Sequence, residues 1–360
     1  MRHERLDAPG FLALTQAVSA NAADTDRTGA FPTRNFDVLR AAGHIASPPI
    51  ATSSIGALLQ LLAAVGRGDL STGRIFEGHC NAMLLIATCG TPSQQASARM
   101  VAAEGGILGV WNTDMPGNPL TVENGTLRGA KNFASGVDGL DQAIVTVPSP
   151  TGRQMLVIPL KDVAIDRNWW KPMGMHASGS HIADFTGHDV RPDGLLGEPD
   201  AYIAQPWFSG GAIRFAAVQL GGMHAVFDVA VEHLARTRRD GDPYQRQRIA
   251  RMGISVETGY AWLDRAAAAW QEAAEAKTPT SSERLISTAN AFRTVVETEA
   301  LAVLELAERS VGAGGFIAPH PLERLVRDLR TYLRQPNPDG ALSALGDAIA
   351  AGRWAPGTSA

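Results

Sequence analysis

Apolar residues recur at helical spacing over the first hundred positions of the chain. "FLALTQAVSANAA" and "PTRNFDVLRAAG" each carry one apolar stripe, and Pro32 suits a first helical turn. "IGALLQLLAAVGRG" and "GHCNAMLLIATCG" are apolar nearly all round, the pattern of helices buried on every side. From about Glu104 to Trp207 the pattern changes. Short apolar runs ("GGILGVWN", "TLRGAKNFAS", "DQAIVTV", "RQMLVIPL") are bounded by turn residues such as "ENG" and "SPTGR", which predicts a mainly antiparallel β domain. Long helical periodicity returns after Ser209. Two long helices are predicted from "GAIRFAAVQL" and "YQRQRIARMG" onward, and a third opens on a capping box at Thr280 and Glu283. The glycines from Gly312 to Gly315 end that third helix, and Pro321 starts a fourth.

The expected class is therefore α+β: an N-terminal helical domain over 1–103, a central β domain over 104–208 and a four-helix-bundle-like domain over 209–360. At 45% hydrophobic and 19% charged residues, the chain reads as a soluble globular protein. A net charge of -4 gives no electrostatic case for nucleic acid. No apolar run is long enough for a membrane span, and "MRHERLDAPGF" lacks an apolar signal core, so the cytoplasm is expected. Cys80 and Cys89 sit in an apolar stretch and imply no disulfide framework.

Chemistry-bearing motifs are sparse. "GAGGF" follows a helix, whereas a dinucleotide-binding loop follows a strand. His176 and His181 in "HASGSH" have no acidic or cysteine neighbour in sequence, so they read as hydrogen-bonded loop residues and no metal site is expected. Trp169 and Trp170 read as packing. The cluster "ARTRRDGDPYQRQR" lies at a helix junction and reads as solvated surface.

Five stretches, taken in order, resemble the acyl-CoA dehydrogenase family of flavoproteins over nearly the whole chain. These are "GRGDLSTGRIF", "GVWNTDMPG", "TLRGAKNFASG", "MGMHASGSHIADFTGHDV" and "VGAGGFIAPHPLERLVRDLR". The resemblance implies FAD between the β domain and the C-terminal helices, and a homodimer or homotetramer. It places Trp111 and Thr113 on the strand facing the flavin, and Phe133, Ala134 and Ser135 where an aromatic face and a hydroxyl address the ring. It places Arg238, Arg309, Gly312 and Ala313 at the cofactor phosphates of a neighbouring subunit. Two positions depart from the family: Asn118–Pro119 replaces its Gly-Ser pair, and Arg309 replaces its glutamine.

The implied activity is α,β-dehydrogenation of an acyl thioester, which needs a carboxylate to take the α-proton. Counting from Arg327–Asp328, the family's base position falls on Pro336, and its second position, before Arg214, holds Ile213. Pro336 and Pro338 together should end the helix before them. Asp339 is the nearest carboxylate and the candidate base, the alternative being an exposed turn aspartate in "PNPDG". A reduced-flavin monooxygenase and a flavin-stabilised binding protein stand as competing readings. The histidine typical of such monooxygenases is missing near Gln335. His79 faces either the flavin pocket or, as a satisfied histidine, the core. The expected partners are a small-molecule substrate, which a CoA thioester would fit, and further copies of the chain.

Overall fold

The computed structural model describes residues 9–335 and 337–357. Five helices come first: α1 (Pro9–Thr28), α2 (Thr33–Ala41), α3 (Ile55–Gly68), α4 (Leu70–Cys89) and α5 (Pro92–Ala103). Their starts are chemically marked. The Asp69 carboxylate accepts the Thr72 N–H at 2.8 Å to cap α4, and Thr91 with Gln94 forms a capping box on α5, with Pro92 at the first helical position. α3 and α4 are buried on almost every face, as their unbroken apolar pattern demands.

Nine short strands follow: β1 (Leu108–Trp111), β2 (Thr121–Glu123), β3 (Thr126–Arg128), β4 (Ala130–Ala134), β5 (Gln142–Ser149), β6 (Gly152–Pro159), β7 (Ala164–Asp166), β8 (His181–Asp184) and β9 (Leu195–Leu196). One sheet has the order β1-β5-β6-β9, another β4-β8-β7, and β2 pairs with β3 alone. All pairings are antiparallel except β1 with β5.

The chain then returns to helix with α6 (Trp207–Arg236), α7 (Pro243–Ala276), α8 (Pro279–Val311), α9 (Pro321–Tyr332) and α10 (Pro338–Ala350). Two local expectations are corrected. The capping box of α8 is Thr278 with Ser281, two residues earlier than Thr280 and Glu283. Pro279 fixes the first helical φ, so the extended residue before it, Thr278, becomes the cap. Pro338 does not merely close off a helix; it opens α10, with Asn337 capping the Gly340 N–H. The Pro336 position lies outside the described residues.

A continuous apolar core runs through all three zones, including Leu62 of α3, Val145 of β5 and Leu304 of α8. A second cluster packs α4 and α5 on the first sheet, through Met83, Ala98 and Ile144. α3 and α6 approach so closely that a methyl on Gly221 would sit 2.1 Å from the Ala63 carbonyl oxygen. Glycine there sets the spacing between α3 and α6. No helix among the described residues is long and apolar enough to cross a membrane.

Candidate functional site

The strand residues expected to face a flavin lie side by side at the end of β1 and along β4. Lys131 on β4 is fully buried and staples the loop after β1: its Nζ donates to the Asn112 carbonyl at 3.1 Å and pairs with the Asp114 carboxylate. Burial lowers the Lys131 pKa, and the Asp114 carboxylate opposes that shift. The Asn132 N–H reaches the Thr113 carbonyl at 3.1 Å. Trp111 is buried, and its indole donates to the Ser135 carbonyl at 3.2 Å. Together these bonds hold Thr113, whose side chain is exposed, beside β4.

β4 itself is irregular. Its register with β8 shifts between Lys131 and Ala134, and Phe133 sits at φ 52, a left-handed conformation costly for an aromatic residue. Bulges of this kind re-aim side chains, and such strain collects at functional sites. The Phe133 ring stands edge-on to Trp169 and Trp170, with centroids 5.0 and 6.0 Å away. Next to it, Asn132 Oδ1 is buried with no hydrogen-bond partner. Ser135 Oγ lies 2.8 Å from Ser180 Oγ, which lies 2.9 Å from Ser178 Oγ, a buried chain of three hydroxyls. Ala134 packs in the core behind them. Sequence reasoning missed Lys131, Ser178 and Ser180; the alternation Ser178–Gly179–Ser180 was the signal available.

The Arg-Asp pair positions this chain of hydroxyls. Asp328 accepts the Met175 N–H at 2.6 Å, just ahead of Ser178, and Arg327 pairs with Asp26 at 2.7 Å. Burial pushes the Asp328 pKa up to about 6, against the Arg324 guanidinium, which favours its charge.

The second set of expected residues lies at one end of the helical bundle. Arg238, two residues past the end of α6, has φ 56 and is exposed. Arg309, in the last turn of α8, pairs with Glu305 at 2.6 Å. Gly312 has φ 81, and an added methyl there would meet nothing within 4 Å. Ala313 opens a short 3-10 helix (Ala313–Phe316) packed on α8 and α9. The groove beside Asn118, about 680 Å³, is lined instead by Asp166 and Asp184, which repel phosphate.

Neither candidate histidine site holds a metal cluster: no group of three ligating side chains occurs among the described residues. His176 pairs with Asp26 at 3.0 Å and His181 with Asp138 at 3.3 Å, so the fold brings carboxylates from afar to both. His79 is a satisfied core residue. Its Nδ1 accepts the Leu108 N–H at 3.2 Å, and its Nε2 meets the Ile45 carbonyl at 2.9 Å. Burial lowers its pKa to about 4. Cys80 and Cys89 are both free thiols.

Of the places expected for a proton-abstracting base, Pro336 lies outside the described residues. Ile213 is core. Asp339 is exposed in the first turn of α10. The carboxylate that does reach Arg214 is Glu77 of α4, with Oε1 held by Arg214 at 2.8 Å and Oε2 by Arg74 at 3.0 Å.

The family described as "Acyl-CoA dehydrogenase, C-terminal domain" matches residues 201–333. The chain is acyl-CoA dehydrogenase-like. Its helices, central antiparallel sheets and C-terminal bundle form the acyl-CoA dehydrogenase fold. The structure of TdsC from a Paenibacillus species with FMN and indole matches it at TM-score 0.84 and 18% identity, over 97% of this chain and 98% of that one. Dibenzothiophene monooxygenase of Mycolicibacterium goodii is 24% identical, covering 89% of this chain and 87% of its own length. YdbM of Bacillus subtilis, named as a candidate acyl-CoA dehydrogenase, is 25% identical over 89% of this chain and 90% of its own.

Proposed function

We propose that this acyl-CoA dehydrogenase-like protein is a reduced-flavin monooxygenase that oxygenates a small molecule, rather than a dehydrogenase of acyl thioesters. One observation carries the reading. Among the described residues at the expected base positions, Ile213 is core and Asp339 is exposed, and Glu77, which meets Arg214, has each oxygen held by an arginine. A carboxylate held in place by two guanidinium groups is less free to approach a substrate proton than an unpaired one. The dibenzothiophene monooxygenases among the relatives support the same choice.

The β-domain residues suit a flavin ring. The unpartnered Asn132 Oδ1 and the Ser135 hydroxyl supply an acceptor and a donor beside the strained Phe133. Trp111, Thr113, Phe133, Ala134 and Ser135 would hold the ring. Arg238, Arg309, Gly312 and Ala313 of a second copy would meet the phosphate, because the Asn118 groove of the same copy is acidic. FMN is the proposed form, since the TdsC structure contains it. A reduced flavin, when bound, supplies the two electrons with which dioxygen gives one atom to the substrate and the other to water. The three hydroxyls ending at Ser135 can then hold or pass a proton there without a carboxylate.

The test pairs two assays. In the first, purified protein receives FMN, a flavin reductase and labelled dioxygen with a small-molecule panel; one labelled oxygen in a product is expected. In the second, saturated acyl-CoAs are mixed anaerobically with flavin-loaded protein, and no bleaching is expected. Fast bleaching with no label incorporated would overturn the proposal. Ligand binding with neither response would favour a binding protein without turnover.

A further inference from the structure

Where α4, α6 and α9 meet, the interior is charged. Glu77 and Arg214 are each 1% exposed. Arg74 is nearly buried, and its guanidinium lies 4.6 Å from the Phe215 ring centroid, which in turn stands edge-on to Tyr332 at 5.8 Å. Among the described residues, neither guanidinium pairs with any carboxylate but Glu77. Within this group two arginines share one glutamate, an excess of one positive charge, while the adjacent buried Arg324, held by Asp69 at the start of α4 and Asp328 of α9, has the opposite excess. The neighbouring Cys80 thiol and Tyr332 phenol do not add a negative charge to the group, because burial raises both of their pKa values. Burying an unpaired charge is costly, and proteins avoid it unless something neutralises it.

Two further observations point to a ligand. Arg214 Nη1 and Tyr332 Oη are both buried with no hydrogen-bond partner. These are two unpaired donors beside a pair of arginines that share one glutamate. There is also room. Gly78 is buried on α4, yet a methyl placed on it would meet only Arg74 Nη1, at 3.6 Å. An unpaired donor beside open space offers a ligand a partner that a closed ion pair does not.

We propose that this chamber binds the oxyanion head of a small organic monoanion: a carboxylate, sulfinate or sulfonate. Arg214 and Tyr332 donate to its oxygens, Arg74 supplies the balancing charge, and Glu77 is a positioning residue that fixes both guanidinium groups. Arginine suits the role because its planar fork matches two oxygens at once. The inference names a substrate class for the proposed monooxygenase and rests on that reading only for turnover; binding needs neither flavin nor oxygen.

The experiment is calorimetric titration of the purified full-length protein, without flavin, in salt-matched buffer. The probes are propionate, benzoate, propane-1-sulfinate and propane-1-sulfonate, with propionamide and benzamide as neutral partners. At least one oxyanion should bind ten or more times tighter than the neutral probes, and the tighter of the carbon and sulfur heads identifies the class. Tyr332→Phe should weaken that binding about tenfold, as loss of a charge-assisted hydrogen bond does, without lowering the melting temperature of the unliganded protein. Gly78→Ala should weaken it by filling the space beside Arg74. The proposal is overturned if no oxyanion binds, if the amides bind equally well, or if Tyr332→Phe leaves oxyanion affinity unchanged. An oxyanion that binds but yields no labelled product in the oxygen assay counts against the monooxygenase reading and leaves the anion site standing.

Discussion

His79 offers a sharp test of how the N-terminal helices are joined to the β domain. Its Nδ1 accepts from the backbone N–H at the start of β1, so the proton sits on Nε2 and is donated to the Ile45 carbonyl. Both backbone groups lose their partner in His79→Leu. A buried unpaired backbone group costs about 1–3 kcal/mol, so the variant should lose roughly 2–6 kcal/mol at pH 7.5. The pH dependence adds a signature that simple loss of packing lacks. The folded imidazole has its pKa lowered from 6.5 to about 4, so it stays neutral over a range where the unfolded one is protonated. Its stabilisation is therefore complete above pH 6.5 and is lost as pH falls toward 4. About 2.5 pH units at 1.36 kcal/mol each gives a loss of about 3 kcal/mol. The leucine variant has no such group. The gap between wild type and variant should narrow by about that amount between pH 7.5 and 4. Urea unfolding followed by tryptophan fluorescence at four pH values measures it. A gap that stays constant across the range would refute the buried neutral histidine.

Three further outcomes follow from the site. Asp339→Asn should leave flavin-dependent oxygenation within twofold and cost at most about 1 kcal/mol through the start of α10, since the carboxylate is exposed there; a loss of a hundredfold or more in steady-state rate would instead assign it the role of base. Ser135→Val should shift the absorption spectrum of bound flavin while circular dichroism stays unchanged, because it cuts the hydroxyl chain at its first member and leaves the Ser178–Ser180 bond intact; an identical spectrum would mean the strand does not face the ring. Lys131→Met should destabilise the fold by about 2–4 kcal/mol and weaken flavin binding, because the Asn112–Asp114 loop loses its internal cation; the checks are thermal unfolding and flavin titration, and flavin affinity equal to wild type would detach that loop from the cofactor.

Much of the architecture was legible because it is periodic. The all-apolar runs became buried α3 and α4, and the turn-bounded runs became the sheets. The cluster Gly312–Gly315 ended α8, where only the C-cap glycine needed its left-handed freedom. Local chemistry was harder where two signals competed. Thr280 and Glu283 have capping-box spacing, but Pro279 dictates the helix start more strongly than a side-chain hydrogen bond can. The twist of Phe133 has no sequence signature, since nothing in "KNFASG" demands a left-handed aromatic residue. The charged chamber was equally hidden. Arg74 and Glu77 lie three apart and read as an ordinary helical pair. Arg214 arrives from 137 positions away, and only the packing of α4 on α6 turns a surface motif into a buried one.

The broken segment after α9 and the charged chamber bear on the same chemical choice. Removing a proton next to a thioester needs a negative group with a free lone pair, placed against the substrate's carbon. Gln219 of α6 donates to the Tyr332 carbonyl at 2.9 Å, so the end of α9 is tied to the helix that carries Arg214. At that junction the interior presents guanidinium and phenol donors and holds Glu77 between two arginines. Such a set suits holding an anion better than abstracting a proton, in keeping with the proposed function. A chain that inverts the polarity of this corner gains nothing from a base at Asp339. It gains from a substrate that arrives already anionic and is oxidised by oxygen transfer. The loss of the base and the gain of an anion site are, on this reading, one change in the charge of one corner.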